Sequence, residues 1–166
     1  YRIHFLAAKI ADEKLKKINS MNKSRYELFK YFSKKLLQTK SLIPPHTKKY
    51  VRRGGFYGFK ATFNEKIVNK INKNKFIKIL KAEGVDVRKT GTPPLNYTNL
   101  FSNQKNYNFS NNSKKKILKK KMTNFPNSTW FERNHVSFPT FYKKEHKKII
   151  DQYFFAIKKV ENYLKL

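Results

Sequence analysis

Apolar positions recur at three- and four-residue steps from near the start of the chain: Leu6, Ala7, Ile10, Ala11, Leu15, Ile18 and Met21, with Glu13, Lys14, Lys16 and Lys17 between them. That spacing predicts an amphipathic helix. Behind it, Ser24 and Glu27 stand at capping-box spacing, and Leu28, Phe29, Phe32 and Leu36 extend an apolar stripe. Either a second helix starts at Ser24 or one long helix runs from about Leu6 to Leu37. Pro44 and Pro45 end the region. In "GGFYGFKATF" the period changes to two: Tyr57, Phe59, Ala61 and Phe63 alternate with Gly58, Lys60 and Thr62, as in a half-buried strand.

A helix from about Phe76 to Ala82 rests on Phe76, Ile77, Ile79 and Leu80, and Gly84 stands where a left-handed helix terminus wants it. "VDVRK" then reads as a short strand. From about Ser102 to Asn127 the chain is polar, Asn-rich and basic, with little periodicity, so a basic loop is expected over 102–127. "HVSFP" is a strand, and a last helix carries Ile150, Tyr153, Ile157, Val160 and Leu164 on one stripe. The order is helix, strand, helix, strand, loop, strand, helix. It predicts an α/β fold, a small, mostly antiparallel sheet packed with helices.

Composition bounds what this fold can be. At 166 residues, with aromatics at 16%, the chain is long enough for one folded unit with a modest core and too apolar to be disordered throughout. The net charge of +29 suggests nucleic-acid phosphates as partners. Abundant Asn, Lys, Ile, Tyr and Phe with few Gly, Pro and Arg are equally what AT-rich codon drift produces. Zero Cys removes disulfides and thiolate chemistry, and fits a reducing cytoplasm. No apolar run approaches the length of a membrane span, and no signal peptide is visible.

Candidate chemistry is sparse. His4, His46, His135 and His146 are scattered without metal-ligand spacing, so no metal site is expected. Glu13, Glu83 and Asp151 lie on Lys-flanked helix faces, where solvated charge pairing is the default. Gly54-Gly55 lacks the Lys and hydroxyl residue of a phosphate loop. Nothing marks a nucleophile, and no catalytic residue is assigned.

Four segments carry a resemblance. "YRIHFLAAKIADEKLKKIN", "RGGFYGFKATF", "LKAEGVDVRKTGTPPLNYTNLF" and "FPNSTWFERNHVSFPTFYKKEHKKIIDQYFFAIKKVENYL" are similar, in the same order, to the later part of the DegT/DnrJ/EryC1/StrS sugar aminotransferases. The resemblance implies the small carboxyl-terminal domain of a fold-type-I aminotransferase that uses pyridoxal phosphate. Residues 1–40 would form a long interdomain helix or helix pair, and residues 41–166 the small domain. In the family a preceding large domain carries the Schiff-base Lys and the Asp that pairs with the pyridine nitrogen. No Lys here stands in the matching motif, so this chain alone is expected to bind no cofactor and to be inactive.

The resemblance transfers two site residues. Arg2 matches the Arg of the family's Asn-x-Arg motif, near the cofactor pocket and the dimer interface. Asn96, in Pro94-Leu95-Asn96, replaces a His that often faces the substrate, and is equally a turn residue after two prolines. Trp130 and Phe131 fall where the family has a short helix packed on the core, and burial of such an aromatic contributes roughly 2 to 3 kcal/mol. The implied partners are the large domain, a second subunit, a nucleotide-linked keto-sugar and glutamate. The alternative is a small basic RNA- or DNA-binding protein of ribosomal type, with Lys114 to Lys121 as its contact surface. Nonspecific polyanion binding is compatible with both.

Overall fold

The computed structural model describes residues 3–51, 53–54, 57–66, 71–91, 93–98 and 125–166. Along these run α1 (Phe5–Leu15), α2 (Ile18–Leu36), β1 (Leu42–Ile43), β2 (Phe59–Phe63), α3 (Lys73–Ala82), β3 (Arg88–Lys89), a single 3-10 turn (Leu95–Tyr97), α4 (Pro126–Asn134), β4 (His135–Phe138) and α5 (His146–Tyr163). The strands form one antiparallel sheet in the order β1-β2-β4-β3.

Alternation in β2 decides which face of the sheet is covered. Phe59, Ala61 and Phe63 are buried, and register places Phe138 opposite Phe59 and Val136 opposite Ala61, so all five share one face. Leu28, Phe32 and Leu36 of α2, Phe76, Ile77 and Leu80 of α3, and Ile150, Ile157 and Val160 of α5 close over it. The Phe32 ring centroid lies 4.6 Å from Phe59, 5.1 Å from Phe138 and 5.7 Å from Phe141. Aromatic contacts at such spacing add to the area they bury.

Polar ties join α2 to α5. The Tyr31 hydroxyl donates to Asp151 Oδ1 at 2.6 Å, and the Lys35 ammonium lies 2.9 Å from the same oxygen. Both hold the Asp151 carboxyl below its ordinary range, the Tyr31 hydrogen bond most strongly. Farther along, Glu161 is buried at 1% exposure. Its Oε1 accepts from Lys40 N–H (2.7 Å), Ser41 N–H (2.8 Å) and Ser41 Oγ–H (2.7 Å). Lys158 Nζ reaches its other oxygen at 3.3 Å.

A polar knot lies where α4 passes into β4. Lys73 Nζ donates to the carbonyls of Glu132 (2.6 Å) and His135 (3.4 Å), so a buried ammonium caps the carboxyl end of α4. The His135 ring stacks on Phe131 with centroids 3.9 Å apart. Its Nδ1 lies 3.0 Å from the Phe131 carbonyl, and that acceptor calls for a proton on Nδ1. Nε2 then accepts from the Thr62 hydroxyl at 3.2 Å. Burial is the main cause that pushes the pKa of both Lys73 and His135 down.

Several expectations change in detail. The first helix pattern breaks at Lys16–Lys17, neither continuous nor starting afresh at Ser24. Ser24 lies inside α2, and its hydroxyl donates to the Tyr142 carbonyl at 2.8 Å instead of capping a helix. Tyr57 precedes β2 and is 98% exposed, outside the alternation. In "VDVRK" only Arg88 and Lys89 pair, because the preceding amides are taken. Gly84 turns at φ 84°, Val85 N–H returns to the Leu80 carbonyl, and Asp86 N–H donates to the Tyr153 hydroxyl. The two-residue strand β1 gave no periodic signal. Pro126 opens α4, a position that suits its missing N–H, so the basic loop ends before 127. The rest of that loop lies outside the described residues. Trp130 is 53% exposed and Phe131 42%, so neither is the buried anchor expected of it.

Two measurements test these ties. Glu161→Ala strands three donors in a buried turn and should lower unfolding free energy by about 3 kcal/mol in urea titrations, with Glu161→Gln losing less. His135 has a folded pKa below its ordinary 6.5. Below that value the unfolded chain takes up a proton that the folded chain refuses. Its contribution is therefore complete above about pH 6.5 and lost as pH falls toward the folded value. Urea midpoints should decline over that window, and His135→Phe should flatten the decline.

Candidate functional site

Of the two residues singled out by resemblance, Arg2 lies outside the described residues, and Asn96 is central in the 3-10 turn Leu95–Tyr97. That turn is held by Tyr97 N–H on the Pro94 carbonyl (2.9 Å) and by Thr98, whose N–H (3.0 Å) and hydroxyl (2.7 Å) both reach the Leu95 carbonyl. A proline followed by a self-bonded turn gives Asn96 a fixed backbone.

The imidazoles of His4, His135 and His146 have local work, and His46 contributes its backbone. His4 Nδ1 accepts from Leu6 N–H and caps α1, His146 Nδ1 accepts from Tyr142 N–H, and the His46 carbonyl accepts from Arg53. Among the described residues no group of three His, Cys, Asp or Glu is placed to hold a metal. The carboxylates pair as the sequence suggested: Glu13 lies 2.7 Å from Lys16, Glu83 2.6 Å from Lys159, and Asp151 on Lys35.

The sequence did not announce an open groove of about 570 Å³ between one flank of α2 and the segment after β1. Lys30 and Lys34, four residues apart, enter from the helix. Lys48, Lys49 and Arg53 enter from the facing segment, and among the described residues no Asp or Glu lines the groove. The Arg53 guanidinium stands 4.7 Å from the Phe29 ring centroid. Its Nε and Nη2 donate to Thr47 Oγ1 at 3.0 and 2.7 Å, and Nη2 also to the His46 carbonyl at 3.2 Å. The available signal was "HTKKYVRR" after two prolines, a basic run facing a helix with Lys at i and i+4. The other basic run, Lys114 to Lys121, lies outside the described residues.

A pyridoxal phosphate site needs an uncommitted amine beside the aldehyde, an acid for the ring nitrogen and donors for the phosphate. Lys73 is buried, but its ammonium is committed to two backbone carbonyls. Lys30, Lys34, Lys48 and Lys49 are exposed, and no carboxylate shares their groove. Neither Lys73 nor these groove lysines therefore has the surroundings of the cofactor's covalent site. They also include no helix long and apolar enough to cross a membrane.

Comparison with known proteins adds the family. The DegT/DnrJ/EryC1/StrS aminotransferase family matches residues 1–151. No curated protein sequence matches. Among solved structures, the chain is similar to a substituted form of ColD at TM-score 0.67 and 16% identity, covering 89% of this chain and 34% of that one. It is similar to GDP-4-keto-6-deoxy-D-mannose-3-dehydratase of E. coli, solved with hydrated pyridoxal phosphate, at TM-score 0.62 and 16% identity, covering 89% and 33%. It is also similar to the aminotransferase TlmJ of Streptoalloteichus hindustanus at TM-score 0.61 and 12% identity, covering 93% and 36%. At such identities the likeness speaks for the fold, and the chain spans about a third of the length of these structures. With residues 1–151 matched to the family and the antiparallel sheet and its helices shared with these enzymes, the chain belongs to the DegT/DnrJ/EryC1/StrS aminotransferase family.

Proposed function

We propose that this chain is the carboxyl-terminal small-domain part of a pyridoxal-phosphate-dependent aminotransferase that acts on a nucleotide-linked keto-sugar, with glutamate as amino donor. The observation that carries the reading is the family match over residues 1–151, joined to a fold shared with longer enzymes, 34% of one of which it covers. Residues 41–166 are the small domain. Residues 1–40 are the helix pair between domains, and the Schiff-base Lys, the acid for the ring nitrogen and the phosphate cup belong to the large domain. Arg2 is assigned near the cofactor pocket and the subunit interface, and Asn96 to the substrate side, where its amide hydrogen-bonds without exchanging protons.

The exposed apolar face of α1 supports that arrangement. No residue of α1 is buried, and Phe5, Leu6, Ile10 and Leu15 are each more than 60% exposed. An eleven-residue helix is marginal in water on propensity alone. Ion pairs of Lys9 and Lys16 with Asp12 and Glu13 steady it, but they are solvent-exposed and weak. In the complete enzyme a large domain and a second subunit would cover this face.

Alone, the chain should neither hold pyridoxal phosphate nor transfer amino groups. Exposed Lys amines with pKa near about 10.4 are mostly protonated at neutral pH and form only slow, scattered imines. After incubation with cofactor and dialysis, no stoichiometric visible absorbance should remain. A retained band that borohydride fixes to one Lys would overturn the assignment. The uncovered α1 face should also make the lone chain self-associate, and Leu6→Lys with Ile10→Lys should shift it toward monomer in sedimentation velocity. A compact monomer at high concentration without these changes would show the face to be covered within the chain.

A further inference from the structure

Helix α4 is fastened to the sheet by one imidazole and two side-chain donors. None of its nine residues is buried, whereas β4, which follows it with no intervening residue, buries Val136 and Phe138 at 3% exposure or less. The His135 ring stacks on Phe131 and meets the Trp130 ring edge-on, with centroids 5.2 Å apart. The Lys73 ammonium and the Thr90 hydroxyl both donate to the Glu132 carbonyl. Thr62 stands opposite His135 in register and alternates with the buried Ala61 and Phe63. The Thr62–His135 pair therefore belongs to the sheet face turned away from the core, and α4 lies against that face.

We propose that α4 stays closed on the sheet only while His135 is neutral, and that protonation of the ring releases α4 about the Asn134–His135 junction while the sheet and helices α2, α3 and α5 stay folded. The neutral ring suits both neighbours: Nδ1–H donates to the Phe131 carbonyl and Nε2 accepts from the Thr62 hydroxyl. A proton on Nε2 turns that acceptor into a donor, and Thr62 has to give up its own donation to receive it. The charge also stands in a site 9% exposed, where lost hydration disfavours it. Lys60 of β2 and Lys73 of α3 repel it, and the Phe131 carbonyl at the end of α4 favours it by less than burial opposes it. The Lys73 ammonium in turn feels Glu132 of α4, Lys89 of β3 and Glu65, and Arg133 of α4 is exposed. Once α4 moves away, water hydrates the imidazolium. The closed position holds the ring's pKa below its ordinary 6.5 and the released position restores it. Closure is therefore favoured above about pH 6.5, and the preference is lost as pH falls through the closed-form value. The core does not follow, because Phe32, Phe59, Phe76 and Phe138 are sealed by the other elements.

The test is NMR on the whole chain between about pH 7.5 and about pH 5, the interval in which histidine charges. Amide exchange, each rate divided by its intrinsic value, reads opening of α4 and of β2 separately, and acrylamide quenching of Trp130, the single tryptophan, follows α4 optically. The His135 ring should titrate below about 6.5. Protection of the α4 amides should fall over the same interval, by about tenfold for each unit that separates the ring's pKa in the two positions, and the β2 amides should keep theirs. His135→Gln, whose amide can donate to Phe131 and accept from Thr62 without titrating, should hold α4 protection constant within about twofold. His146→Gln should leave the transition in place. Lys60→Gln removes one neighbouring cation at a partly exposed position and should raise the midpoint by about 0.3 unit. It reads the same coupling should His135→Gln fail to fold. Constant α4 protection while His135 titrates, the same fall in His135→Gln, or loss of β2 protection at the same midpoint would overturn the proposal.

Discussion

The carboxylate of Glu161 decides how the chain leaves α2 and enters the sheet. Burying a charge costs several kcal/mol unless donors surround it, and here two successive amides and a hydroxyl converge on one oxygen. Two adjacent N–H groups point at one acceptor only when the turn through Lys40 and Ser41 holds a single conformation. The Ser41 carbonyl then accepts Asn64 N–H at 2.9 Å, just past the Leu42–Phe63 pairing, so the edge strand's register follows from that turn. Leu166 N–H closes back on the Glu161 carbonyl at 3.0 Å and ties the last residues to the same point.

None of this was visible in "KKVENYL", where Glu161 reads as one more charge on a Lys-rich helix. Its burial depends on Lys40 and Ser41, about 120 residues earlier, and local pattern carries no trace of such a contact. By contrast, "FKATF" was legible because its strand has one covered face, and alternation is the imprint of that covering. The stripe of α5 was legible for the same reason at helical period. Where sequence reading slipped, a backbone donor had been claimed by something distant or too brief to be periodic. Ser24 offered a cap but bonded Tyr142, Val85 bonded back to α3, and β1 is only two residues long.

Site and fold differ in legibility because they draw on different kinds of signal. Arg2 and Asn96 came from resemblance alone; the first lies outside the described residues, and the second occupies a turn whose geometry its neighbours already explain. The basic groove escaped because the run Lys114 to Lys121 drew the reading of a chain of +29, and local pattern does not bring α2 against the segment after β1. What makes it a groove is that α2 shows Lys30 and Lys34 to the segment carrying Lys48, Lys49 and Arg53.

A covered sheet face and an uncovered helix coexist among the described residues. Phe32, Phe59, Phe76 and Phe138 are sealed at 3% exposure or less by elements within the chain, so the sheet does not need help to bury its apolar face. The same is not true of α1, which is joined to α2 by a break of two residues and spends its apolar positions on solvent. Because α2 is locked into the core through Leu28, Phe32 and Leu36, whatever covers α1 is coupled to the sheet through a stiff lever and not a flexible linker. A domain built this way folds by its own contacts yet takes its orientation from another surface. Under the proposed function, such a lever would carry the position of α1 directly to the sheet.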